Sequence, residues 1–253
     1  MTALPQPDAA LQGTAVVGVV MPAHNEEATL PGVLTSLLAY VPADRIVVVN
    51  DGSSDATGAV AAAYGVRVAT CPINLGVGGA IRVGLRLLLR DNVELVVQMD
   101  ADGQHDPADI PALLSPVIRE EADLVIGARF SGVGDYRVGP LRRVAMSILA
   151  LAVRLRRTEP LTDVTSGFKA MNRSTAELLA GLLPFDYLGD TVEAILIVRG
   201  TGRRVTQVPV QMKYRQGGSP SHPTLRSIRS VARVLVAVVF IRARSAVGRL
   251  GQR

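Results

Sequence analysis

Short apolar runs and longer amphipathic stretches alternate along the chain from Ala15 onward. The apolar runs are rich in Val, Ile and Leu and show little alternation with polar residues, which is typical of strands buried on both faces of a sheet. They predict strands at Val16–Met21, Arg45–Asn50, Val66–Thr70, Leu95–Asp100 and Asp123–Gly127. The stretches between them predict helices at Glu26–Ala39, Asp55–Tyr64, Val77–Arg90 and Pro107–Arg119. This order indicates an α/β fold with a mostly parallel sheet flanked by helices.

The pattern changes after Gly127. The later elements are predicted to be a Gly-rich loop at Ser131–Val138, a helix with an Arg-rich face at Leu141–Arg157, a strand within Thr162–Asn172, a loop at Leu182–Tyr187, a helix at Thr191–Arg199, a strand at Arg204–Met212 and a basic amphipathic helix from about Leu225 to Val247. We therefore expect a flexible tail at residues 1–14, one α/β domain at residues 15–220, and a basic, apolar C-terminal helix within residues 221–253.

Basic residues are distributed unevenly in this chain, which has a net charge of +5. No acidic residue follows Glu193, whereas arginines recur to the C-terminus, and a second arginine cluster lies between residues 137 and 157. Phosphorylated substrates, anionic lipid and nucleic acid all fit this charge. Aromatic residues make up only 4% of the chain and Trp is absent, which argues against a base-stacking surface for nucleic acid. The single cysteine, Cys71, excludes an internal disulfide bond and a cysteine-based metal site.

The C-terminal helix has an apolar stretch at Val234–Ile241, far shorter than the ~20 residues needed to cross a bilayer. Arginines flank this stretch on both sides. We expect the helix to lie in a membrane interface and to contact anionic lipid. The alternative is a helix that packs on the domain with its arginines in solvent.

A candidate metal site follows the fourth predicted strand, in the sequence MDADGQHD. Asp100 and Asp102 come just after this buried strand, where open α/β sheets bind ligands. Two neighbouring carboxylates repel each other unless a cation or proton is present, and Mg²⁺ or Mn²⁺ suits oxygen ligands and substrate phosphates. Gln104 supplies a third candidate oxygen. The alternative is a solvated acidic turn, but Asp106 with Pro107 is sufficient to begin the next helix.

Polar residues also follow the other strands. Asp51 lies in a polar turn after the second strand, where Ser53 or Ser54 is a candidate helix cap, and Glu26 follows the first strand. These carboxylates are candidates for contacts to a base or ribose, although ordinary strand–turn–helix junctions with good caps have the same appearance. A glycine-rich helix entry at 74–85 favours close approach of phosphate, and Arg82 lies one turn into that helix.

Eight segments of the chain form a recognisable set. They are PAHNEE (22–27), VVVNDGSSD (47–55), NLGVGGAIRVGL (74–85), MDADGQHDPADIPALL (99–114), DLVIGARF (123–130), PLRRVAMS (140–147), DVTSGFKAMNR (163–173) and VPVQMKYRQGG (208–218). Together they resemble the family 2 inverting glycosyltransferases, which have the GT-A (Rossmann-like) fold. The resemblance is closest to polyprenyl-phosphate glycosyltransferases of the dolichol-phosphate mannose synthase type.

The resemblance implies a role for each matching residue. The residues at the nucleotide-binding positions are Pro22, His24, Glu26 and Asp51; those at the metal and diphosphate positions are Asp100, Asp102 and Gln104; Arg129 lies at the active centre; and those at the lipid-phosphate and diphosphate positions are Arg143, Ser147 and Arg215. Three departures from the family pattern leave the base and the acceptor open. Asn50 replaces a usual aspartate, His24 stands where tyrosine is common, and the usual Ser-Lys is missing after Arg215.

These positions imply transfer of a hexose from a nucleotide sugar, of the GDP-mannose or UDP-glucose type, with Asp102, Arg129 and Arg215 as catalytic residues. A polyprenyl phosphate acceptor at the cytoplasmic membrane face is already ionised and requires no protein base, whereas cations must hold it beside the diphosphate. The alternative is a hydroxyl acceptor, which requires a carboxylate base such as Asp190 or Glu193, with Asp163 as a further candidate. The sequence does not predict the oligomeric state.

Overall fold

The structure, a computed structural model, describes residues 15–128, 161–184 and 189–212. The strands are β1 (Val17–Ala23), β2 (Ile46–Asp51), β3 (Arg67–Cys71), β4 (Leu95–Gln98), β5 (Leu124–Ala128), β6 (Lys169–Asn172) and β7 (Val205–Pro209). The α-helices are α1 (Leu30–Leu37), α2 (Thr57–Ala63), α3 (Val77–Leu88), α4 (Ile110–Ile118), α5 (Arg173–Leu182) and α6 (Ala194–Gly200). Short 3₁₀ turns at Ala43–Arg45 and Pro107–Asp109 precede β2 and α4, and a π-helical turn at Gly189–Glu193 leads into α6.

The strands form one sheet in the order β3-β2-β1-β4-β6-β5-β7. Strand β6 is antiparallel to its neighbours β4 and β5, and the other pairings are parallel. The chain first extends the sheet from β1 to β3 and then returns to place β4 on the other side of β1. The strand order therefore reverses between β1 and β4, and in open α/β sheets this reversal opens a ligand crevice at the carboxyl ends of the strands.

Both faces of the sheet are buried, as the apolar runs predict. In β2, Ile46 and Val48 pack in a cluster with the apolar side chains of α1 and α4. Val47 and Val49 pack on the opposite face with α3, in a cluster that extends to α5 and α6. A strand whose successive side chains are all buried has no polar face, which explains why the sequence shows no period of two.

The mostly parallel α/β sheet is confirmed. The ends of most observed strands differ from the predicted ends by at most a few residues. Within the longer predicted segments Thr162–Asn172 and Arg204–Met212, the strands are limited to Lys169–Asn172 and Val205–Pro209. Strand β4 ends at Gln98 rather than at Asp100, so Met99 and Asp100 already belong to the loop. Helix α5 was not predicted from the sequence. Its signal is Asn172, whose side chain accepts a hydrogen bond from the Thr175 N–H at the start of the helix.

Several predictions lie outside the described residues. They are the tail at residues 1–14, the loop at Ser131–Val138, the helix at Leu141–Arg157 and the C-terminal helix within residues 221–253, so the domain limits stay predictions. Within the described ranges, no helix combines the length and the hydrophobicity needed to cross a bilayer.

Candidate functional site

The loops that follow β1, β2 and β4 lie at the same edge of the sheet, because these three strands are parallel neighbours. The loop after β1 starts at His24, the loop after β2 starts at Gly52, and the loop after β4 contains Asp100 and Asp102. The point where the strand order reverses lies between the loop after β1 and the loop after β4. The loops that carry His24, Glu26, Asp100 and Asp102 therefore lie at one edge of the sheet, together with Asp51 at the end of β2.

The loops after β1 and β2 are joined by hydrogen bonds. Asn25, which has a positive φ of 55°, donates its N–H to Ser53 Oγ at 3.1 Å. Its Oδ1 accepts the N–H of Ser54 at 2.8 Å. One residue later, the N–H of Glu26 donates to Thr57 Oγ1 at 2.8 Å. The polar residues of the second loop therefore fix the backbone of the first loop.

Neither serine caps helix α2, so that prediction is wrong. Helix α2 begins at Thr57, and its N–H donates to Asp55 Oδ1 at 3.0 Å. Asp55 also accepts the N–H of Glu27 at 3.2 Å, and Glu27 accepts the N–H of Ala56 at 2.8 Å. Burial acts to raise the pKa of the Asp55 carboxyl, but the hydrogen bonds from Thr57 and Glu27 outweigh it and lower the pKa.

Asp51, the last residue of β2, is the most deeply buried acid next to these two loops, with only 3% of its surface exposed. Its Oδ1 accepts the N–H of Leu75 at 2.7 Å, which ties β2 to the glycine-rich entry of α3. Burial raises the pKa of the Asp51 carboxyl, although the backbone N–H groups of Leu75 and Gly76 and the nearby His24 act in the opposite direction. The Nδ1 atom of His24 lies 2.8 Å from the Asp51 carbonyl oxygen, which fixes the imidazole beside this acid.

Glu26 and Thr29 connect the first loop to the loop that carries the candidate metal ligands. The Thr29 hydroxyl lies 2.7 Å from Glu26 Oε2 and 3.0 Å from the carbonyl oxygen of Ala101, which stands between Asp100 and Asp102. Both Glu26 and Thr29 are buried. Sequence reasoning did not single out Thr29, because a threonine before a helix has the appearance of an ordinary cap.

The loop after β4 is a tight turn organised by its own carboxylates. Gly103 has a positive φ of 77°, and Asp102 Oδ1 accepts the N–H of Gln104 at 3.0 Å. Asp106 accepts the N–H of Ala108 at 3.1 Å and caps the 3₁₀ turn that begins at Pro107, as the sequence predicts. This cap leaves Asp100 and Asp102 with no role in starting the helix.

His105 holds Asp100 in place. The ring is only 4% exposed and stacks on Phe168, with 4.8 Å between the ring centroids and 12° between their planes. The N–H of Asp100 donates to His105 Nδ1 at 3.1 Å, which assigns the ring proton of the neutral imidazole to Nε2. That Nε2 lies 3.7 Å from Asp100 Oδ2. His105 therefore has a structural role, which is to orient Asp100.

Gly167 packs against Asp100 from the segment before β6. A Cβ atom at this position would lie 2.3 Å from Asp100 Oδ2 and 2.9 Å from its Cγ, which no real structure tolerates. The carboxylate therefore occupies the space that a larger residue would fill. Gly167 could be found in the sequence only through the Thr-Ser-Gly-Phe-Lys motif, since nothing local connects it to residue 100.

Carboxylate and amide oxygens from Asp100, Asp102 and Gln104 are the ligands that Mg²⁺ and Mn²⁺ prefer. In the part of the chain that the structure describes, no group of three or more His, Cys, Asp or Glu side chains is arranged to hold a metal ion. This donor set fits an ion that the protein binds through a pair of carboxylates, with substrate phosphates and water completing its coordination.

Other predicted site residues lie elsewhere. Arg82 donates to the carbonyl oxygens of Leu183 at 3.1 Å and Ala180 at 3.4 Å, at the end of α5, and its nucleotide role stays a prediction. Asp163 is buried and accepts hydrogen bonds from the N–H and hydroxyl of Thr165, which anchors its own loop. Glu193 ends the π-helical turn, with its Oε2 buried. Arg129, Arg143, Ser147, Arg215 and the Asp190 side chain lie outside the described residues.

The chain is similar in sequence to known proteins. The model of the family described as Glycosyl transferase family 2 matches residues 18–179. The undecaprenyl-phosphate mannosyltransferase of Micrococcus luteus is 32% identical over 206 residues, which cover 79% of this chain and 84% of that protein. The polyprenol monophosphomannose synthase of Mycolicibacterium smegmatis is 32% identical over 209 residues, 79% of this chain and 78% of that protein.

A solved structure shares the fold. The crystal structure of glucosyl-3-phosphoglycerate synthase from Mycobacterium tuberculosis in complex with Mn²⁺, uridine-diphosphate-glucose and phosphoglyceric acid matches with a TM-score of 0.67 and 25% identity. The match covers 92% of this chain and 81% of that chain. The sheet described above is therefore the GT-A type of fold expected from the sequence.

Proposed function

Because the chain belongs to glycosyl transferase family 2 and is a glycosyltransferase, we propose that it transfers a hexose from a nucleoside-diphosphate sugar to a polyprenyl phosphate. The donor is of the GDP-mannose or UDP-glucose type, and the reaction takes place at the cytoplasmic face of the membrane, to which the protein binds peripherally. The observation that carries the proposal is that Asp51 ends β2 and the Asp100–Asp102 pair follows β4, at the same edge of the sheet on either side of β1. We assign the base and ribose to the first position and the diphosphate to the second.

The nucleoside half of the donor is assigned to the loops after β1 and β2. Pro22, His24, Glu26 and Asp51 are the residues assigned to it, and Asp51 accepts the N–H of Leu75 despite its burial. The hydrogen bonds between the two loops hold these groups in position before the donor arrives. A preformed site of this kind loses little conformational entropy on binding.

The diphosphate half of the donor is assigned to the loop after β4. Asp100, Asp102 and Gln104 would hold a Mg²⁺ or Mn²⁺ ion, which would neutralise the charge that develops on the departing diphosphate. His105 and Gly167 keep the Asp100 carboxylate in one orientation. The metal use of the structural relative supports this assignment.

The acceptor is assigned as a polyprenyl phosphate because two relatives at 32% identity are polyprenyl-phosphate mannosyltransferases by name. Its phosphate oxygen attacks the anomeric carbon directly as the bond to the diphosphate breaks, which inverts the configuration. No protein base is needed, since the phosphate is already ionised. The acceptor phosphate would be held beside the diphosphate of the donor by Arg129, Arg143 and Arg215, with Ser147. The acid-free basic C-terminal region supports contact with an anionic membrane.

A hydroxyl acceptor is the second candidate. The structural relative in complex with phosphoglyceric acid favours it, because that ligand carries a hydroxyl group as well as a phosphate. Such an acceptor requires a carboxylate base, for which Asp190 and Glu193 are the candidates.

The test of the proposal is one transfer assay. The protein is incubated with Mn²⁺ or Mg²⁺, radiolabelled nucleotide sugars and a short polyprenyl phosphate, and label is measured in the organic phase. Metal-dependent label in an acid-labile lipid supports the proposal and identifies the donor. Donor binding without lipid product moves the assignment to a hydroxyl acceptor. If no donor binds, the proposal is wrong.

A substitution at Asp102 tests the assignment of the metal ligands separately. Asp102→Asn keeps an oxygen that accepts the Gln104 N–H, so the turn is preserved, but it removes the charge that would bind the ion. We expect transfer to fall about a hundredfold or more, with an unchanged unfolding midpoint. Undiminished metal-dependent transfer in this variant would exclude Asp102 as a ligand.

A further inference from the structure

The hydroxyl group of Thr29 contacts two loops at once. Thr29 is the N-terminal cap residue of α1, a position at which a threonine oxygen usually accepts an N–H of its own helix, but it forms no such cap. Its Oγ1 atom instead lies 2.7 Å from Glu26 Oε2 and 3.0 Å from the carbonyl oxygen of Ala101, which belongs to the metal-binding loop at residues 99–106. Because only 7% of Thr29 is exposed, these contacts are largely shielded from water.

Helix α1 supports the metal-binding loop at two neighbouring positions. Thr29 and Val33 are one helical turn apart and lie on the same face of α1. A Cβ atom at Gly103 would lie 3.7 Å from Val33 Cγ2, so the loop packs directly on this face. The carbonyl of Ala101 belongs to the same planar peptide group as the N–H of Asp102, and its direction therefore fixes the direction of that N–H. Thr29 thus constrains the backbone directly before a candidate metal ligand.

The two contacts compete for a single proton. A threonine hydroxyl has only one proton to donate. Besides Glu26 Oε2 and the Ala101 carbonyl, the carbonyl oxygen of Glu26 lies 3.3 Å from Thr29 Oγ1. An ionised carboxylate is a stronger acceptor than a carbonyl oxygen, and Glu26 Oε2 is also the nearest of these atoms. The more strongly Glu26 accepts the proton, the less of it is left for Ala101.

We propose that Thr29 is a positioning residue whose single proton couples Glu26 to the metal-binding loop. The inference rests on the proposed function, in which Glu26 contacts the nucleoside and Asp100 and Asp102 bind the metal ion. A nucleoside that donates a hydrogen bond to Glu26 makes this carboxylate a weaker acceptor for Thr29. The Thr29 proton then turns to the Ala101 carbonyl and holds the backbone between the two aspartates. Binding of the nucleoside therefore strengthens binding of the ion, in addition to any contact between the ion and the diphosphate.

A double-mutant cycle tests the coupling without any nucleotide, with Mn²⁺ affinity measured from the electron paramagnetic resonance signal of the free ion. Glu26→Gln removes the charge that competes for the Thr29 proton. The loss of this charge weakens Mn²⁺ binding in every background, whereas release of the proton strengthens it only where the hydroxyl is present. We therefore expect the effect of Glu26→Gln on the Mn²⁺ dissociation constant to be about fivefold more favourable in the wild type than in Thr29→Val.

Two further variants show whether the hydroxyl itself is responsible. Thr29→Ser keeps the hydroxyl and should retain the coupling to Glu26. Thr35→Val is the matched control, because it makes the same change on the same helix, where the Thr35 hydroxyl donates to the carbonyl oxygen of Pro31 at 2.8 Å. Additive effects of Glu26→Gln and Thr29→Val would overturn the inference, as would an equal loss of coupling in Thr35→Val.

A second measurement requires no bound metal. Hydrogen–deuterium exchange is followed in a peptide that covers residues 99–106, in the same variants and without Mn²⁺. We expect Glu26→Gln to slow exchange in the wild-type, Thr29→Ser and Thr35→Val backgrounds, but not in Thr29→Val. If the wild type binds no Mn²⁺, the proposed metal site is wrong, and the exchange data alone decide whether Thr29 couples Glu26 to the loop. An equal effect of Glu26→Gln on exchange with and without the Thr29 hydroxyl would overturn the inference.

Discussion

The two halves of the crevice are constructed differently. The nucleoside half, formed by residues 24–29 and 51–57, is held by hydrogen bonds between loops about 30 positions apart, such as that of Asn25 with Ser53. The metal half, formed by residues 99–106, depends on residues far along the chain. Phe168 stacks on His105, Gly167 leaves room for Asp100, and Met212 pairs with His105.

Because of this difference, we expect substitutions in the two halves to affect stability and activity differently. The nucleoside half is part of the first two strand–helix units, so a change there should alter stability and donor affinity together. The metal half consists of a short turn oriented from outside, so a change in its supports should alter turnover with little effect on stability. The four variants below test this separation, beginning with the largest expected effect.

Gly167→Ala should separate an effect on turnover from an effect on stability most clearly. The added Cβ displaces the Asp100 carboxylate, a flexible group, rather than backbone. Because displacement of a catalytic group by about 1 Å can cost a hundredfold in rate, we expect kcat to fall by about that factor while the unfolding midpoint changes little. Gly181→Ala is the control, since a Cβ there meets nothing within 4 Å. Equal transfer rates in both variants would show that Asp100 does not need this orientation.

Gly52→Ala tests the nucleoside half. Its φ is +65°, and the added Cβ would lie 2.6 Å from the backbone N of Asn74 and the carbonyl carbon of Ile73, which cannot rotate away. We expect the free energy of unfolding to drop by about 3 kcal/mol, measured by urea denaturation, together with a loss of donor affinity.

Gly65→Ala is the matched control for that experiment. Its φ is +72°, but a Cβ there meets nothing within 4 Å, so only backbone strain remains. We expect it to lose about 1 kcal/mol and to keep its donor affinity. If Gly52→Ala is no worse than this control, the packing of β2 on residues 73–74 does not support the site.

His105→Phe tests the support of Asp100 from within the metal loop. The ring can still stack on Phe168, but the N–H of Asp100 loses its acceptor. We expect about a tenfold higher Mn²⁺ concentration for half-maximal activity, as for other residues that orient metal ligands. His105→Asn, whose amide oxygen can take the place of Nδ1, should recover part of the loss. An unchanged Mn²⁺ requirement in His105→Phe would contradict the proposed support.

Asp51→Asn should have the smallest effect on stability, with a defined pH dependence. Because burial raises the pKa of Asp51, its protonated form is favoured in the folded state, and this contribution is lost as pH rises from its ordinary value of 3.8 through the raised pKa. Above the raised pKa the ionised side chain therefore opposes folding. We expect the variant to melt higher than wild type at pH values above the raised pKa, and the difference to disappear as the pH falls below 3.8.

The same variant should lose donor affinity, since Asn has no charge to offer a ribose or base. Thermal unfolding across this pH range and donor titration measure the two effects separately. A variant that melts lower than wild type at neutral pH would show that the hydrogen bonds of Asp51 outweigh its burial.

The order of strands and helices was largely predictable, because a strand buried on both faces leaves a continuous apolar run such as Val47–Val49. Helix α5 was missed because its cap, Asn172, directly ends β6 and leaves no loop between the two elements. The candidate ligands Asp100 and Asp102 were predictable because polar residues after a buried strand lie at a known edge of the sheet. The roles of Thr29 and Gly167 were not predictable, since each acts on a residue distant in sequence.

The sequence by itself determined most of the elements, the edge of the sheet at which the polar loops lie and, through its motifs, the family. These features depend on local periodicity and on which residue follows which strand. Only the tertiary structure decided how β6 returns antiparallel between β4 and β5, which places Gly167 and Phe168 against Asp100 and His105. It also decided that the chain beyond β7 is attached to Asp109. Contacts of this kind depend on strand order and packing, and no local pattern encodes them.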